Sequence, residues 1–194
     1  GDGFATTDFG LGTDAGRSVA VQADGKILVT GNAWNGSKQN IALVRYNADG
    51  TLDTSFSGDG KTTLALGANN DYGSRVTVQP DGQILVTGQT FNGTDNDLVL
   101  LRYNTDGTLD TSFSGDGIVI TDVASGGDGG YDAVVQPDGK ILVTGQTGPG
   151  GAGVNILLLR YNSDGSLDTS FGGGDGIVTL DIASDYDAAR SLAL

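Results

Sequence analysis

The residues of this chain that could do chemistry are oxygen donors at three repeated corners. Each corner reads Asn-x-Asp-Gly with a further Asp behind it, as in Asn47, Asp49 and Asp53, and a Gly-Asp-Gly segment follows. Carboxylate and amide oxygens on a glycine-containing loop are ligands that suit Ca²⁺. The candidate calcium ligands are Asn47, Asp49, Asp53, Asp59, Asn104, Asp106, Asp110, Asp116, Asn162, Asp164, Asp168 and Asp175.

These corners differ from an EF-hand loop, and they have a second explanation. Arg45 stands where the first EF-hand ligand would be, and Phe56 stands where the bidentate Glu would be. Asn and Asp also close turns by hydrogen-bonding the nearby backbone, and they tolerate the left-handed conformation. The pattern therefore predicts turn formation ahead of calcium binding, and it indicates no other cofactor.

The chain lacks the side chains on which most enzymes depend. It contains no His and no Cys, which removes the usual general base and the thiol nucleophile. Ser55, Ser112 and Ser170 each lie near an Asp, but a serine triad needs a base that is absent. Paired Asp residues can hydrolyse glycosides, yet here they recur in every copy, whereas an active site needs one unique arrangement. We expect no enzymatic activity.

Two sets of arginines recur along the chain. The first set ends a predicted strand a few residues before an Asp, which predicts a repeated clamp between arginine and carboxylate at Arg45, Arg102 and Arg160. The second set consists of Arg17 and Arg75 in the first two copies, Asp132 in the third and Arg190 in the last. A ring of ligand-binding arginines at this position would be broken at Asp132.

The charge of the chain bounds its partners and its location. All 24 acidic residues are Asp, and the formal net charge is -14. Nucleic acids and anionic lipids bind positive surfaces, so neither is an expected partner. No apolar run is long enough to span a bilayer. Dense Asp residues that stay hydrated or are partly neutralised by Ca²⁺ fit an extracellular location. The absence of Met suggests a processed product or a piece of a longer polypeptide.

The chain consists of tandem copies of one repeat. VQADGKILVTG begins at Val21, and its two relatives begin at Val78 and Val135, each 57 residues further on. RYNADGTLDTSF begins at Arg45 and also recurs twice. The predicted units are residues 1–57, 58–114, 115–173 and a partial unit 174–194 in a single array.

Each unit is predicted to contribute four short antiparallel strands. In the second copy these are residues 76–79, 84–87, 98–103 and 117–123, separated by Asp-Gly or Asn-Gly pairs and a longer corner. Asp-Gly and Asn-Gly favour tight hairpins, and Asn-Gly favours type I′ turns. Four-stranded hairpin units of this length favour an all-β fold of β-propeller blades, with a β-solenoid as the alternative.

The end of the chain predicts unfinished structure. Residues 177–181 and 190–194 match the first two strands of a unit, so two further strands would be missing. Three and a half units are fewer than a small closed propeller needs, which predicts exposed edge strands. Neighbouring repeats of a longer polypeptide or other copies of the chain would cover them, and copies would form a ring or a filament.

The repeated blocks resemble a known family. VQPDGKILVTG followed by LLRYNSDGSLDTSFGGGDGIV is similar to the bacterial delta-60 repeat, and the likeness extends over the whole chain. The resemblance implies a propeller-like fold in large secreted or surface-attached bacterial proteins, often beside adhesin-like modules. It implies no catalytic activity.

These observations lead to two functional hypotheses. The first is a non-enzymatic extracellular repeat protein that serves display, adhesion or self-assembly at a bacterial surface through exposed edge strands. The second is a propeller module that binds a glycan or peptide with the help of Ca²⁺. In the second hypothesis Trp34 and Phe91, at matching places in two copies, would contact the ligand because aromatic rings stack on sugars.

Overall fold

The computed structural model describes residues 3–10, 12–123, 126–148, 153–182 and 186–194. These ranges contain no helix, and hence none long and apolar enough to cross a membrane. Their regular structure consists of twelve strands. They are β1 (Ala15–Val21), β2 (Ile27–Trp34), β3 (Gln39–Tyr46), β4 (Lys61–Leu64), β5 (Asp71–Val78), β6 (Ile84–Phe91), β7 (Asn96–Tyr103), β8 (Ile118–Thr121), β9 (Gly129–Val135), β10 (Ile141–Thr147), β11 (Asn155–Tyr161) and β12 (Ile177–Leu180).

The strands form three four-stranded antiparallel sheets, each paired in chain order. We call them blade 1 (β1 to β4), blade 2 (β5 to β8) and blade 3 (β9 to β12). The predicted all-β fold with four strands per repeat is confirmed. The predicted unit limits after residues 57, 114 and 173 fall between the third and fourth strands. The predicted units and the observed blades therefore repeat with the same period, but a unit begins one strand before a blade does.

The first hairpin loop of each blade and the second hairpin loop of blades 1 and 2 close through a glycine and an Asx turn. Gly25 has a φ of 84° in the loop between β1 and β2, and Gly36 has a φ of 101° between β2 and β3. The expected type I′ turn at Asn35 is wrong, because that turn needs positive φ at both central residues and Asn35 does not have it. Its side-chain oxygen instead accepts hydrogen bonds from the amides of Ser37 and Lys38, each at 3.0 Å.

A bulge interrupts the first strand of every blade. In blade 2 the register shifts between Gly73 and Arg75, beside Gly88 on β6. A Cβ on Gly88 would lie 2.0 Å from the carbonyl oxygen of Tyr72, and in the other two blades the equivalent distance is 1.8 Å. Only glycine allows the two backbones to approach this closely. The residues that the ladder skips are Arg17, Ser74 and Tyr131.

The hydrophobic core lies between the blades. β5 packs against β1, β2 and β3 of blade 1, and β9 packs in the same way against β5, β6 and β7 of blade 2. One buried cluster joins Leu28 and Leu43 of blade 1 to Val86 of blade 2, and a second joins Leu100 of blade 2 to Val143 of blade 3. Each fully buried leucine contributes about 2 kcal/mol. Hairpin-linked sheets stacked face to face confirm propeller blades and contradict the solenoid alternative.

Both ends of the described chain continue the blade pattern. The prediction that residues 177–181 begin a new unit is wrong, because β12 pairs with β11 as the fourth strand of blade 3. Residues 186–194 pack on blade 3 where the first strand of a following blade would lie. The amide of Ala189 donates to the carbonyl of Gly145. At the other end, the hydroxyls of Thr7 and Tyr46 bond at 2.5 Å, as those of Thr121 and Tyr161 do at 2.8 Å between blades 2 and 3. Thr7 thus occupies the place of a preceding blade's fourth strand.

We expect Gly88→Ala to destabilise the chain by about 3 kcal/mol or more, because the new methyl group meets the β5 backbone rather than a movable side chain. Urea unfolding followed by circular dichroism measures the change. Gly67→Ala is the matched control, since a Cβ there meets nothing within 4 Å. Equal stability of the two variants would contradict the close approach.

Candidate functional site

The predicted clamp between arginine and carboxylate occurs in every blade. Nε of Arg45 donates to Oδ2 of Asp53 at 2.7 Å, and the equivalent pairs Arg102–Asp110 and Arg160–Asp168 have the same distance. The Arg45 guanidinium also lies over the Phe56 ring at 4.5 Å. An eight-residue spacing places the arginine at the end of a third strand and the carboxylate on the corner behind it. The clamp prediction is confirmed.

The clamp also joins one blade to the next. Nη1 of Arg102 donates to the carbonyl of Ser163 in blade 3 at 2.6 Å, and Nη1 of Arg45 donates to the carbonyl of Thr105 in blade 2. The amide of Ser114 bonds the carbonyl of Asp164 at 2.8 Å across the same boundary. The arginines therefore hold successive corners in register.

Each clamp carboxylate has further donors around it. Asp53 accepts from the Ser55 hydroxyl at 2.6 Å and lies 3.0 Å from the Lys26 ammonium. Burial raises the pKa of Asp53, but the hydrogen bonds from Ser55 and Lys26 outweigh burial, so the pKa lies far below its usual range. The pKa values of Asp110 and Asp168 are lowered as well. These carboxylates are ionised and already paired.

The remaining candidate calcium ligands make local turn contacts. Oδ1 of Asp49 accepts from the amide of Thr51 at 3.0 Å and from its hydroxyl at 2.6 Å. Asn47 donates to the Thr51 hydroxyl at 3.0 Å, and Asp59 accepts from the Lys61 amide at 3.0 Å. The other two copies repeat these contacts at Asn104, Asp106, Asp116, Asn162, Asp164 and Asp175.

The described residues contain no group of three or more acidic side chains placed to hold a metal ion. At each corner the candidate residues are divided among the clamp, an Asx turn and the turn before the fourth strand, and these three features separate them. These contacts support the turn role. Calcium binding stays a prediction.

The two candidate aromatic ligands lie at the ends of equivalent strands in neighbouring blades. Trp34 ends β2 and Phe91 ends β6, one in each blade, and both are half-buried. The Trp34 ring lies against Gly12, where an added Cβ would be 2.6 Å from it. Phe91 lines a cavity of about 510 Å³ together with Lys38 and Asn70. Trp34 is not among the residues that line this cavity, so the two rings do not share it.

The predicted equivalence of Arg17 and Arg75 is wrong by one residue. Ser18 pairs with Thr30, whereas Arg75 pairs with Thr87, so Arg75 corresponds to Ser18. Arg17 is itself a bulge residue, which has no opposite partner in the ladder. The 57-residue period of the flanking VQADG and VQPDG blocks aligns Arg17 with Ser74 and Ser18 with Arg75, in agreement with the ladders.

Sequence reasoning missed a set of aspartates that connect the blades. Oδ2 of Asp71 accepts from the Leu66 amide at 2.9 Å and so closes the loop between blades 1 and 2. Asp14, Asp128 and Asp187 repeat this contact with the residue five positions earlier, at 2.9, 2.6 and 2.8 Å. Their regular spacing was the available signal, but the surrounding residues vary from copy to copy.

The lowered clamp pKa values predict loss of stability in acid. A carboxylate whose pKa is lower in the folded state stabilises the fold above its unfolded pKa of about 3.9, and this contribution is lost as the pH falls. We expect the free energy of unfolding to decrease from about pH 5 downward. Asp53→Asn should weaken this dependence, whereas Asp81→Asn, on an exposed hairpin loop, should leave it unchanged. Urea titrations between pH 7 and pH 3 test both, and equal pH slopes would contradict the role of Asp53.

Comparison with known proteins connects these features to a family. A family model described as a domain of unknown function (DUF5122) beta-propeller matches residues 22–56, 79–113 and 136–171. The three segments cover more than half of the chain, and each extends from the loop after a first strand to the Phe of the corner. No curated protein matches the chain. The chain belongs to the DUF5122 β-propeller family.

Proposed function

We propose that the chain is a non-enzymatic structural module that works by stacking further blades of the same repeat on its two open faces. The observation that carries this proposal is a difference in solvent exposure between equivalent residues inside the array and at its ends. Val76 at the junction of blades 1 and 2 is 2% exposed, whereas its equivalent Val19 on blade 1 is 60% exposed. A neighbouring blade buries this position at the interior junction, and the open face of blade 1 lacks such a neighbour.

The open face of blade 1 is the one that a preceding blade would cover. Val21 is 67% exposed, and Ile27 and Val29 are half-buried, while their equivalents Ile84 and Val86 in blade 2 are fully buried. The N-terminal segment covers only part of this face, through contacts such as that of Thr7.

The open face of blade 3 is the one that a following blade would cover, as blade 2 covers blade 1. Leu142 and Leu158 are half-buried, although their equivalents Leu28 and Leu43 in blade 1 are fully buried by blade 2. Leu180 and Ile182 are 52% and 65% exposed. Burial of such a side chain contributes about 1.5 to 3 kcal/mol, so a further blade would gain several such contributions. The two open faces are chemically complementary because the same two faces already meet twice within the chain.

The open surfaces differ from the edge strands expected from the sequence. Each sheet is already four-stranded, and its free edges are the first and fourth strands in every blade alike. Faces rather than edges are incomplete, and so we infer that coverage comes from whole blades, in neighbouring repeats of a longer polypeptide or in other copies.

The contacts of the polar side chains support a non-enzymatic role. Ser55, the candidate nucleophile, donates to Asp53, and Asp53 is ion-paired with Arg45. This arrangement recurs at Ser112 and Ser170. A carboxylate with a strongly lowered pKa is a weak base, and a threefold copy is typical of a scaffold.

We place the module outside a bacterial cell, in display or adhesion, and assign it more narrowly to the delta-60 repeats. The acidic composition supports an extracellular setting, and the repeated VQPDGKILVTG and RYNSDGSLDTSF blocks support the narrower name.

Addition of one blade tests the proposal directly. Residues 186–194 occupy the place of a first strand, so a copy of residues 79–121 fused after Leu194 would supply the other three strands. We expect the midpoint of thermal unfolding to rise by about 6 °C or more, because the face of blade 3 becomes buried. In the matched control, Val99→Asp and Leu101→Asp are introduced into the added copy only, where both side chains would face blade 3. Equal midpoints for the two fusions would overturn the proposal.

The isolated chain is expected to self-associate through the same faces. Sedimentation velocity should show species above 19.6 kDa whose fraction grows with concentration, and Val19→Asp with Val21→Asp should reduce that fraction. Ile120→Asp is the matched control, since Ile120 is an exposed apolar residue of β8 in the central blade. An equal effect of the control would contradict association through blade faces.

A further inference from the structure

We infer that a cleft between the first strands of the blades binds an organic anion of about disaccharide size through carboxylate or sulfate groups. The cleft has a volume of about 570 Å³, and Arg17, Arg75, Tyr131 and Arg190 line it. This volume lies in the range of small-molecule sites. The cleft contains none of the clamp or corner residues, and of the open-face residues named above it includes Val19 alone.

The bulges direct side chains into this cleft. Arg17, Ser74 and Tyr131 are the residues skipped by the ladders of β1, β5 and β9, and all three line the cleft. Arg190 holds the same position in the last segment, three residues after Asp187, as Arg17 follows Asp14. Bulges commonly re-aim a side chain beside a functional site. One structural device therefore places one side chain from each repeat around a common space.

The residue types at these positions differ from copy to copy. The skipped residue is Arg, Ser and Tyr in blades 1 to 3, and the matching residue of the last segment is Arg, although the neighbouring VQPDG and ILVTG blocks barely change. The next position also varies: Ser18, Arg75, Asp132 and Ser191. A scaffold needs the same side chain in each repeat, as the clamps show. A ligand without rotational symmetry needs different side chains, and the cleft supplies them.

The three guanidinium groups are held in place but not saturated. Nε of Arg17 donates to Asn32 at 3.1 Å, and the Arg190 guanidinium lies over the Tyr131 ring at 4.5 Å. Nε of Arg75 pairs with Asp132 at 3.1 Å. Among the described residues, none accepts a hydrogen bond from the terminal Nη nitrogens of these three arginines. Guanidinium groups with free Nη donors bind carboxylate, sulfate or phosphate in a bidentate manner.

The charge balance of the cleft is opposite to that of the molecule. Three of the ten cationic residues of a chain with a net charge of -14 line this one space. Asp132 is the carboxylate that pairs with one of them, and its second oxygen accepts from the Ser191 hydroxyl at 3.0 Å and the Leu192 amide at 2.9 Å. Two guanidinium charges thus lack a carboxylate among the described residues. Like charges repel each other, and an anionic ligand would relieve this repulsion.

Isothermal titration calorimetry with the chain at low salt tests the inference. The probes are digalacturonate, which carries carboxylates, a sulfated disaccharide and neutral maltose. We expect one binding site for at least one anionic probe, at least tenfold weaker binding at 0.5 M NaCl, and no binding of maltose. The stronger of the two anionic probes identifies the favoured oxyanion. Equal binding of maltose, or binding of neither anionic probe, would overturn the inference.

Variants connect the binding to the cleft. The double variant Arg17→Ser with Arg190→Ser should reduce the affinity for the anionic probe at least tenfold. The double variant Arg17→Lys with Arg190→Lys should reduce this affinity less, because lysine keeps the charge without the bidentate geometry. Lys61→Ser is the control that removes one cation outside the cleft. If a double variant unfolds, the probe-induced rise in thermal midpoint is compared between Arg190→Ser and Lys61→Ser. If Lys61→Ser reduced the affinity for the anionic probe as much as the cleft variants do, the attraction would be unspecific and the inference would be overturned.

Discussion

The structure depends on the burial of sheet faces between successive blades. Blade 2 is covered on both sides, so alternate residues of one strand enter different cores: Ile84 and Val86 lie in the cluster with blade 1, and Leu85 lies in the cluster with blade 3. A single four-stranded sheet would expose both rows. This requirement explains the continuous apolar runs of β6 and β7, and it makes each blade stable only as part of a stack. The open faces of blades 1 and 3 are the direct consequence.

Polar corners add register to this apolar stacking. The clamp arginine reaches the backbone of the next corner, and the ring of Phe113 lies 3.1 Å from where a Cβ on Gly165 would be. The corner must therefore combine a tight turn, an anionic partner and a glycine. Asp meets the first two needs with one short side chain, because it can accept from an amide two residues ahead while it pairs with an arginine. Glu is longer and closes such turns less well, and this chain has none.

Repetition itself separates scaffold from candidate function in this molecule. Clamps, Asx turns and connecting aspartates recur in each blade with nearly constant distances, as expected for parts that hold the same geometry three times. The bulge positions keep the backbone geometry but change the side chain, from Arg17 to Ser74 to Tyr131. The cleft between the first strands therefore has the same backbone geometry in each blade but a different side chain from each.

By itself, the sequence determined the strands, their order within a blade and the clamps. Strand patterns, Asp-Gly hairpins and the eight-residue spacing from Arg102 to Asp110 act over short distances, so local rules suffice. The tertiary structure decided the role of residues 177–181, the loop at Asn35, the connecting role of Asp71 and the grouping of Arg17, Arg75 and Arg190. In each case the outcome depends on pairing or packing with distant residues: β12 needs β11, a bulge is defined by its partner strand, and the cleft exists only where successive blades converge.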